Sequence, residues 1–282
     1  MNIKLFSGLA IIAISIIAFV SLNDTVPTEP GEKSSQQTLS IPNKDNQKTK
    51  PAANKARVTS SVKRYQASVF DYSNVQNTKE KKQLFFDTLR PIIKDENQRI
   101  RVQREQILLA KQANKTQPWI NELATEHKVD WNPEAPDWDT LLLHIDTIPK
   151  ELVMVQAANE SAWGASRFAQ KGNNLFGQWC FTKGCGLVPS QRNSGAKHEV
   201  RKFPSINDSV ASYLHNINTS HAYKSLRKIR AELRAKKQKI EARTLATGLD
   251  KYSTRGKKYV KEIQSMIKTN YSLMQETEKK SG

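Results

Sequence analysis

The chain has 282 residues, enough for one substantial domain with extensions or for two small domains. Lys and Arg number 45 against 27 Asp and Glu, a formal net charge of +18. Such a surplus excludes an acidic, polyanion-repelling surface and leaves nucleic acid, acidic lipid headgroups or an anionic cell wall as partner classes, without choosing among them.

The first element narrows the choice. MNIKLFSGLAIIAISIIAFVSL carries Lys4 and then no charged residue from Leu5 to Leu22. A basic start followed by an unbroken apolar run reads as a signal peptide or membrane anchor over 1–22. A core helix is seldom apolar on every face. The exit AFVSLND lacks a small-x-small cleavage site, which favours an uncleaved anchor in the inner membrane over a removed leader. Export removes nucleic acid as the expected partner and points to wall or membrane.

Residues 23–77 are rich in Pro, Ser, Thr, Gln, Asn and Lys and read as a disordered linker, because they bury too little to offset the entropy of ordering them. Helical text begins at Thr78 and extends to 145. Leu84, Phe85, Leu89, Ile92 and Ile93 recur at helix spacing, and Pro91 either kinks this stretch or opens a new first turn. Two short helices around a Pro-containing loop follow. Pro149 then starts PKELVMVQAANESAWGASRFAQ, with Leu152, Val155, Gln156, Asn159, Ala162, Trp163 and Ser166 at three- and four-residue steps.

If that helix continues, Glu160 neighbours Trp163 and Gly164 on one face. The missing side chain of Gly164 then leaves a notch where a substrate could reach the carboxylate. An apolar setting raises a carboxyl pKa and makes a proton donor, as glycoside cleavage requires. The spacing equally fits a solvated or ion-paired Glu beside a glycine that lets two helices pack.

Beyond it, WCFTKGCG places Cys180 and Cys185 four residues apart around glycines. Outside the cytoplasm this reads as a disulfide-closed loop; two thiols alone make only half a zinc site, so no metal and no cofactor are expected. HEVRKF alternates like a short strand. Ser205-x-x-Asp208 is a capping box ahead of the stripe Val210, Tyr213, Leu214 and Ile217. The basic run Lys224 to Lys239 is either a groove rim or a solvated helix face. The last helix places Tyr259, Ile263, Met266 and Ile267 on one side, and a tail occupies 276–282. The composite is α+β and mostly helical.

ANESAWGASRFAQKGNNLFG resembles the signature of the glucosaminidase-type peptidoglycan hydrolases, glycoside hydrolase family 73: Glu160, Ser161, Trp163, Gly164 and Ser166, then Asn174, Leu175, Phe176 and Gly177. KFPSINDSVASYL and KYSTRGKKYVKEIQSMI resemble its later segments, the last through Tyr252, Thr254 and Tyr259. The WCFTKGCG insert and helical N-terminal region look like the Bax-type branch of Gram-negative bacteria.

The resemblance implies a lysozyme-like fold, a helical lobe and a small β-lobe flanking a groove, over 146–275. It implies cleavage of β-1,4 bonds in peptidoglycan by an endo-β-N-acetylglucosaminidase of the periplasm, with no amidase chemistry. Glu160 matches the general acid, and Tyr252 matches a tyrosine lining the site. Trp163, Asn174 and Phe176 match positions shaping a substrate-binding junction, with plain packing as the alternative for each. Many members carry a second Glu in the β-lobe; only Glu199 stands between Gly164 and Phe203, and a solvated, paired strand Glu fits it equally. Without it, the substrate's acetamido group would serve as nucleophile. A lytic transglycosylase and a non-catalytic wall-binding scaffold are the competing readings.

Overall fold

A computed structural model describes residues 63–190, 192 and 195–275. The apolar leader 1–22, linker residues 23–62 and the tail 276–282 lie outside the described residues. Among those described, no helix is long and apolar enough to cross a membrane.

Helix α1, Thr78–Ala113, starts where the Asn77 side chain accepts the Glu80 N–H, and runs for 36 residues through Pro91 without interruption. A proline forfeits one backbone hydrogen bond. Here Leu89 on one side and Ile92 and Ile93 on the other are sunk in the same core, so burial holds both halves in line. α2 (Pro118–Glu126) opens on proline, and α3 (Trp138–His144) is capped by the Asp137 side chain. With the end of α1 they enclose a satellite core of Ile107, Ile120, Leu123, Trp138, Leu141 and Ile145.

The main core is built by α1, α4 (Lys150–Ser161), α6 (Ile206–Thr219), α8 (Ala242–Leu245) and α9 (Lys257–Met274). The Ser205–Asp208 capping box forms, and Val210, Tyr213, Leu214 and Ile217 are buried. Tyr259, Ile263 and Ile267 of α9 face the core, with Met266 packed against it. Between α5 (Arg167–Gly172) and α6 lies a three-stranded antiparallel sheet in the order β1-β3-β2, from Trp179–Cys180, Gly186–Leu187 and Glu199–Arg201. Gly186 is required there: a Cβ would stand 2.1 Å from the Val200 carbonyl oxygen of the neighbouring strand. The expected mostly helical α+β fold is observed.

Three expectations are corrected. First, residues 63–77 do not behave as linker. They form a 3-10 turn, Ala67–Phe70, and pair with the domain through side-chain amides: Asn207 Oδ1 accepts the Tyr65 N–H, and Asn173 Oδ1 accepts the Ala67 N–H. Their low apolar content misleads because two residues, Ala67 and Phe70, supply the buried surface. Second, the region 78–145 is not separate from 146–275, since Phe85, Phe86, Leu89, Ile92 and Ile93 share a core with α4 and α9. Third, α4 stops at Ser161, one residue past Glu160, where Ala162 turns left-handed.

The basic run is partly internal. In α7 (Lys224–Ala235) Arg230 is buried and donates to the carbonyls of Leu143 and Asp146 and to the Asn218 side chain. Arg227 is also buried and binds the Ile217 and Ser220 carbonyls. Arg104, Arg230 and Arg234 converge on the single buried carboxylate of Asp146, Arg234 at 2.5 Å. Burial alone would raise that carboxyl, but the Arg234 hydrogen bonds and the three positive charges outweigh it and hold Asp146 below its usual 3.8.

A depressed carboxyl stabilises the fold above its unfolded-state value, and the contribution disappears as pH falls through the folded-state value. Asp146→Asn leaves three guanidinium groups without their counter-ion. It is expected to lower stability by roughly 3–5 kcal/mol in urea unfolding at neutral pH, and to flatten the loss of stability seen below about pH 4 in the unchanged protein.

Candidate active site

The seven residues Leu152 to Ala158 of α4 are all buried, so this helix has no solvent-facing side along most of its length. Its one polar residue in that stretch, Gln156, must be satisfied by protein, because a buried amide left unpaired costs about 1–3 kcal/mol. Gln156 Oε1 accepts the Tyr213 hydroxyl, and Gln156 Nε2 donates to the Tyr259 hydroxyl at 3.0 Å. Tyr259 has a single proton, which goes to Glu160 Oε1 at 2.8 Å. Gln156 and Glu160, four residues apart on one helix, are thus joined through a tyrosine of α9.

Asn159 Nδ2 also donates to Oε1, at 3.2 Å. An oxygen that accepts two hydrogens is a poor seat for a third, so the carboxyl proton of Glu160 sits on Oε2. Burial pushes this carboxyl above its usual 4.5; the Tyr259 and Asn159 hydrogen bonds and the Arg255 charge pull it back only in part, and Glu262 adds to the rise. Arg255 and Glu262 form an ion pair of 2.7 Å beside Tyr259, with the Arg255 guanidinium carbon 5.5 Å from the phenol ring.

Tyr252 is buried and stacks parallel on Tyr259, with centroids 5.3 Å apart, and Tyr223 packs behind it at 5.7 Å. Burial, with the negative charge of Glu160, raises the phenols of Tyr213, Tyr223, Tyr252 and Tyr259, so all four stay neutral hydrogen-bonding groups. Tyr252 therefore lies in the field of Glu160, where the sequence places it.

The notch beside Glu160 is filled. Ala162, Trp163 and Gly164 all adopt left-handed backbone, with φ of 52°, 60° and 81°. Gly164 therefore lies off the helix, and a Cβ there would meet Phe70 Cδ2 at 2.2 Å. The space left by the glycine belongs to Phe70. Trp163 packs edge-on against Phe85 and Phe86, 5.6 and 5.4 Å away, under the Lys82 ammonium.

The other expected groups take structural positions. Asn174 donates to the Gln178 and Arg201 carbonyls and accepts from the Phe176 and Gln178 amides. Phe176 stacks on Tyr213 at 4.0 Å. Glu199 accepts the N–H groups of Gly184 and Gly186, and those bonds hold its carboxyl below the usual range. Cys180 and Cys185 are joined in a disulfide, which closes that loop. Their sulfurs and Glu199 are the only cluster of potential metal ligands among the described residues, and the disulfide leaves no thiolate for an ion.

Sequence reading takes Tyr259 for a core residue and passes over Gln156, Tyr213, Arg255 and Glu262 as site residues. The available signal was Gln156 itself, an amide four residues before the acid in an otherwise apolar helix.

The family model Glucosaminidase, described as mannosyl-glycoprotein endo-beta-N-acetylglucosaminidase, matches residues 136–272. Among curated proteins, "Protein bax" of Escherichia coli (strain K12) is 34% identical over 200 residues, covering 69% of this chain and 71% of that protein. No solved structure gives a significant match.

Tyr259→Phe removes a hydrogen bond that favours the charged carboxylate. The Glu160 carboxyl is expected to titrate at higher pH than in the unchanged protein, read from carbon-13 glutamate NMR with Glu160→Gln assigning the signal.

Proposed function

The chain belongs to the glucosaminidase family, and on that premise we propose that it is a peptidoglycan β-N-acetylglucosaminidase with Glu160 as general acid. The observation that carries this reading is the carboxyl of Glu160, raised by burial and held at Oε1 so that its proton rides on Oε2. A glycosidic oxygen brought to Oε2 receives that proton as the bond to the anomeric carbon breaks, and developing charge on the leaving sugar is avoided.

The opposite face of the sugar needs a nucleophile or a base. Glu199 is tied to two backbone amides, and Glu262, the other carboxylate in the field of Glu160, is held by Arg255. Both placements favour the substrate's own acetamido oxygen as the attacking group, with Tyr252 as the neutral group that orients it. The same lone acid serves a lytic transglycosylase, in which an internal hydroxyl of the glycan replaces water. The products separate the two: reducing N-acetylglucosamine ends for the hydrolase, anhydro-muramic ends for the transglycosylase.

The polyanion attracted by the +18 charge is, in this reading, the carboxylate-bearing wall itself. Work in the periplasm, anchored or released through residues 1–22, is part of the proposal. It is supported by the apolar run and by the disulfide, a bond that persists outside the cytoplasm.

Purified wall digested with the protein is expected to yield reducing glucosamine ends by mass spectrometry. Glu160→Gln is expected to lower the rate at least about 100-fold, the usual scale for losing a general acid. Its thermal midpoint is expected to equal or exceed that of the unchanged protein. A raised carboxyl pKa means the folded state binds the proton more tightly, so the charge opposes folding at neutral pH and the amide removes that opposition. Undigested wall, or full activity of Glu160→Gln, would refute the enzyme reading in favour of a wall-binding scaffold.

A further inference from the structure

Three consecutive left-handed residues directly after a half-buried acid are costly. Each non-glycine in that region loses about 1–2 kcal/mol, and Ala162 and Trp163 are both of that kind. Such a turn persists only where its surroundings over-determine it.

Part of the restraint is local. Ser161 Oγ accepts the Gly164 N–H at 2.7 Å while donating to the Ala157 carbonyl, and the Ser166 N–H returns to the Ser161 carbonyl. The remainder comes from residues that precede α1. The Tyr72 hydroxyl donates to the Trp163 carbonyl, and Phe70 fills the place of the absent Gly164 side chain. Gln170 Nε2 bridges the Gly164 and Ala67 carbonyls at 2.6 and 2.9 Å.

This stretch is itself fastened at several points. Asn207 Oδ1 and Asn173 Oδ1 accept the Tyr65 and Ala67 amides, and the Ile206 N–H donates to the Tyr65 carbonyl. Lys81 and Lys82, in the first turn of α1, lie over the Tyr72 and Trp163 rings. All of Tyr65 to Lys82 falls outside residues 136–272, so the family match neither contains nor requires these contacts.

The geometry points to residues 65–72 as a positioning strap, in which the Tyr72 hydroxyl and the Phe70 ring hold the Ala162–Gly164 turn and so fix the aim and the burial of Glu160. Tyr72 and Phe70 touch no substrate; they act through the backbone that ends α4. The strap rests on the reading of Glu160 as general acid, but the position of the carboxyl can be measured without any turnover.

The test uses the full chain with Tyr72→Phe, which removes one hydroxyl and keeps the ring. Expected are a kcat lowered roughly tenfold to a hundredfold on wall glycan, the scale on which small misplacements act, and a KM within about twofold of the unchanged protein. The Glu160 carboxyl, followed by carbon-13 NMR, is expected to titrate lower, back toward 4.5, because a loosened turn admits water. Should Tyr72→Phe fail to fold by near-ultraviolet circular dichroism, Phe70→Leu, which vacates part of the space at Gly164, carries the same measurements. A variant that keeps both kcat and the Glu160 titration while losing only stability overturns the strap. If the unchanged protein leaves wall intact, the functional reading fails by itself, and the titration alone then decides the strap: a lowered midpoint supports it and an unmoved one ends it.

Discussion

A helix buried on every side has no water to satisfy its polar side chains, and that constraint organises the middle of this protein. In α4 it falls on Gln156 and Glu160. The amide of Gln156 has one accepting and one donating end, so Tyr213 and Tyr259 can be arranged around it in only one sense, and Tyr259 is left with its proton directed at Glu160. The polarity of one oxygen of the acid is therefore set from the interior. The other oxygen is the one left for chemistry. A carboxyl prepared in this way does not depend on a second nearby acid to raise its affinity for a proton; desolvation supplies the rise.

Much of this was legible in the sequence, for identifiable reasons. Glu160 stood out because an isolated acid among small and aromatic residues is chemically anomalous. The capping box at Ser205 and the apolar stripe after it could be read because both are local patterns, satisfied within one turn or one helix face. The short strand at Glu199–Arg201 followed from alternation. Each of these features depends on residues within about ten positions.

What escaped depends on distant partners. Tyr259 has the spacing of a core residue and is one; that its hydroxyl reaches Glu160 is set by how α9 crosses α4, 99 positions along the chain. Gly164 suggested open space, yet the space is taken by Phe70, 94 positions earlier, from a stretch whose composition argues against any structure. The end of α4 at Ser161 hides for the same reason, since Ala162 and Trp163 are ordinary helix residues and their left-handed backbone is imposed by contacts outside it. The charge count misled in the opposite direction. Arg227 and Arg230 contribute to a surplus that suggests a sticky surface, while both are enclosed and binding carbonyls.

The long helix α1 carries a consequence for heredity. Its phenylalanines and isoleucines complete the core that α4 and α9 line, although most of α1 lies upstream of the segment by which the family is recognised. A recombination event that transplanted residues 136–272 alone would deliver a catalytic cassette with one wall missing and its hydrophobic interior open to water. The unit that can be exchanged between genes as a working piece begins near residue 63, so lineages that shuffle this domain are constrained to carry the leading helix with it or to invent a replacement of matching shape.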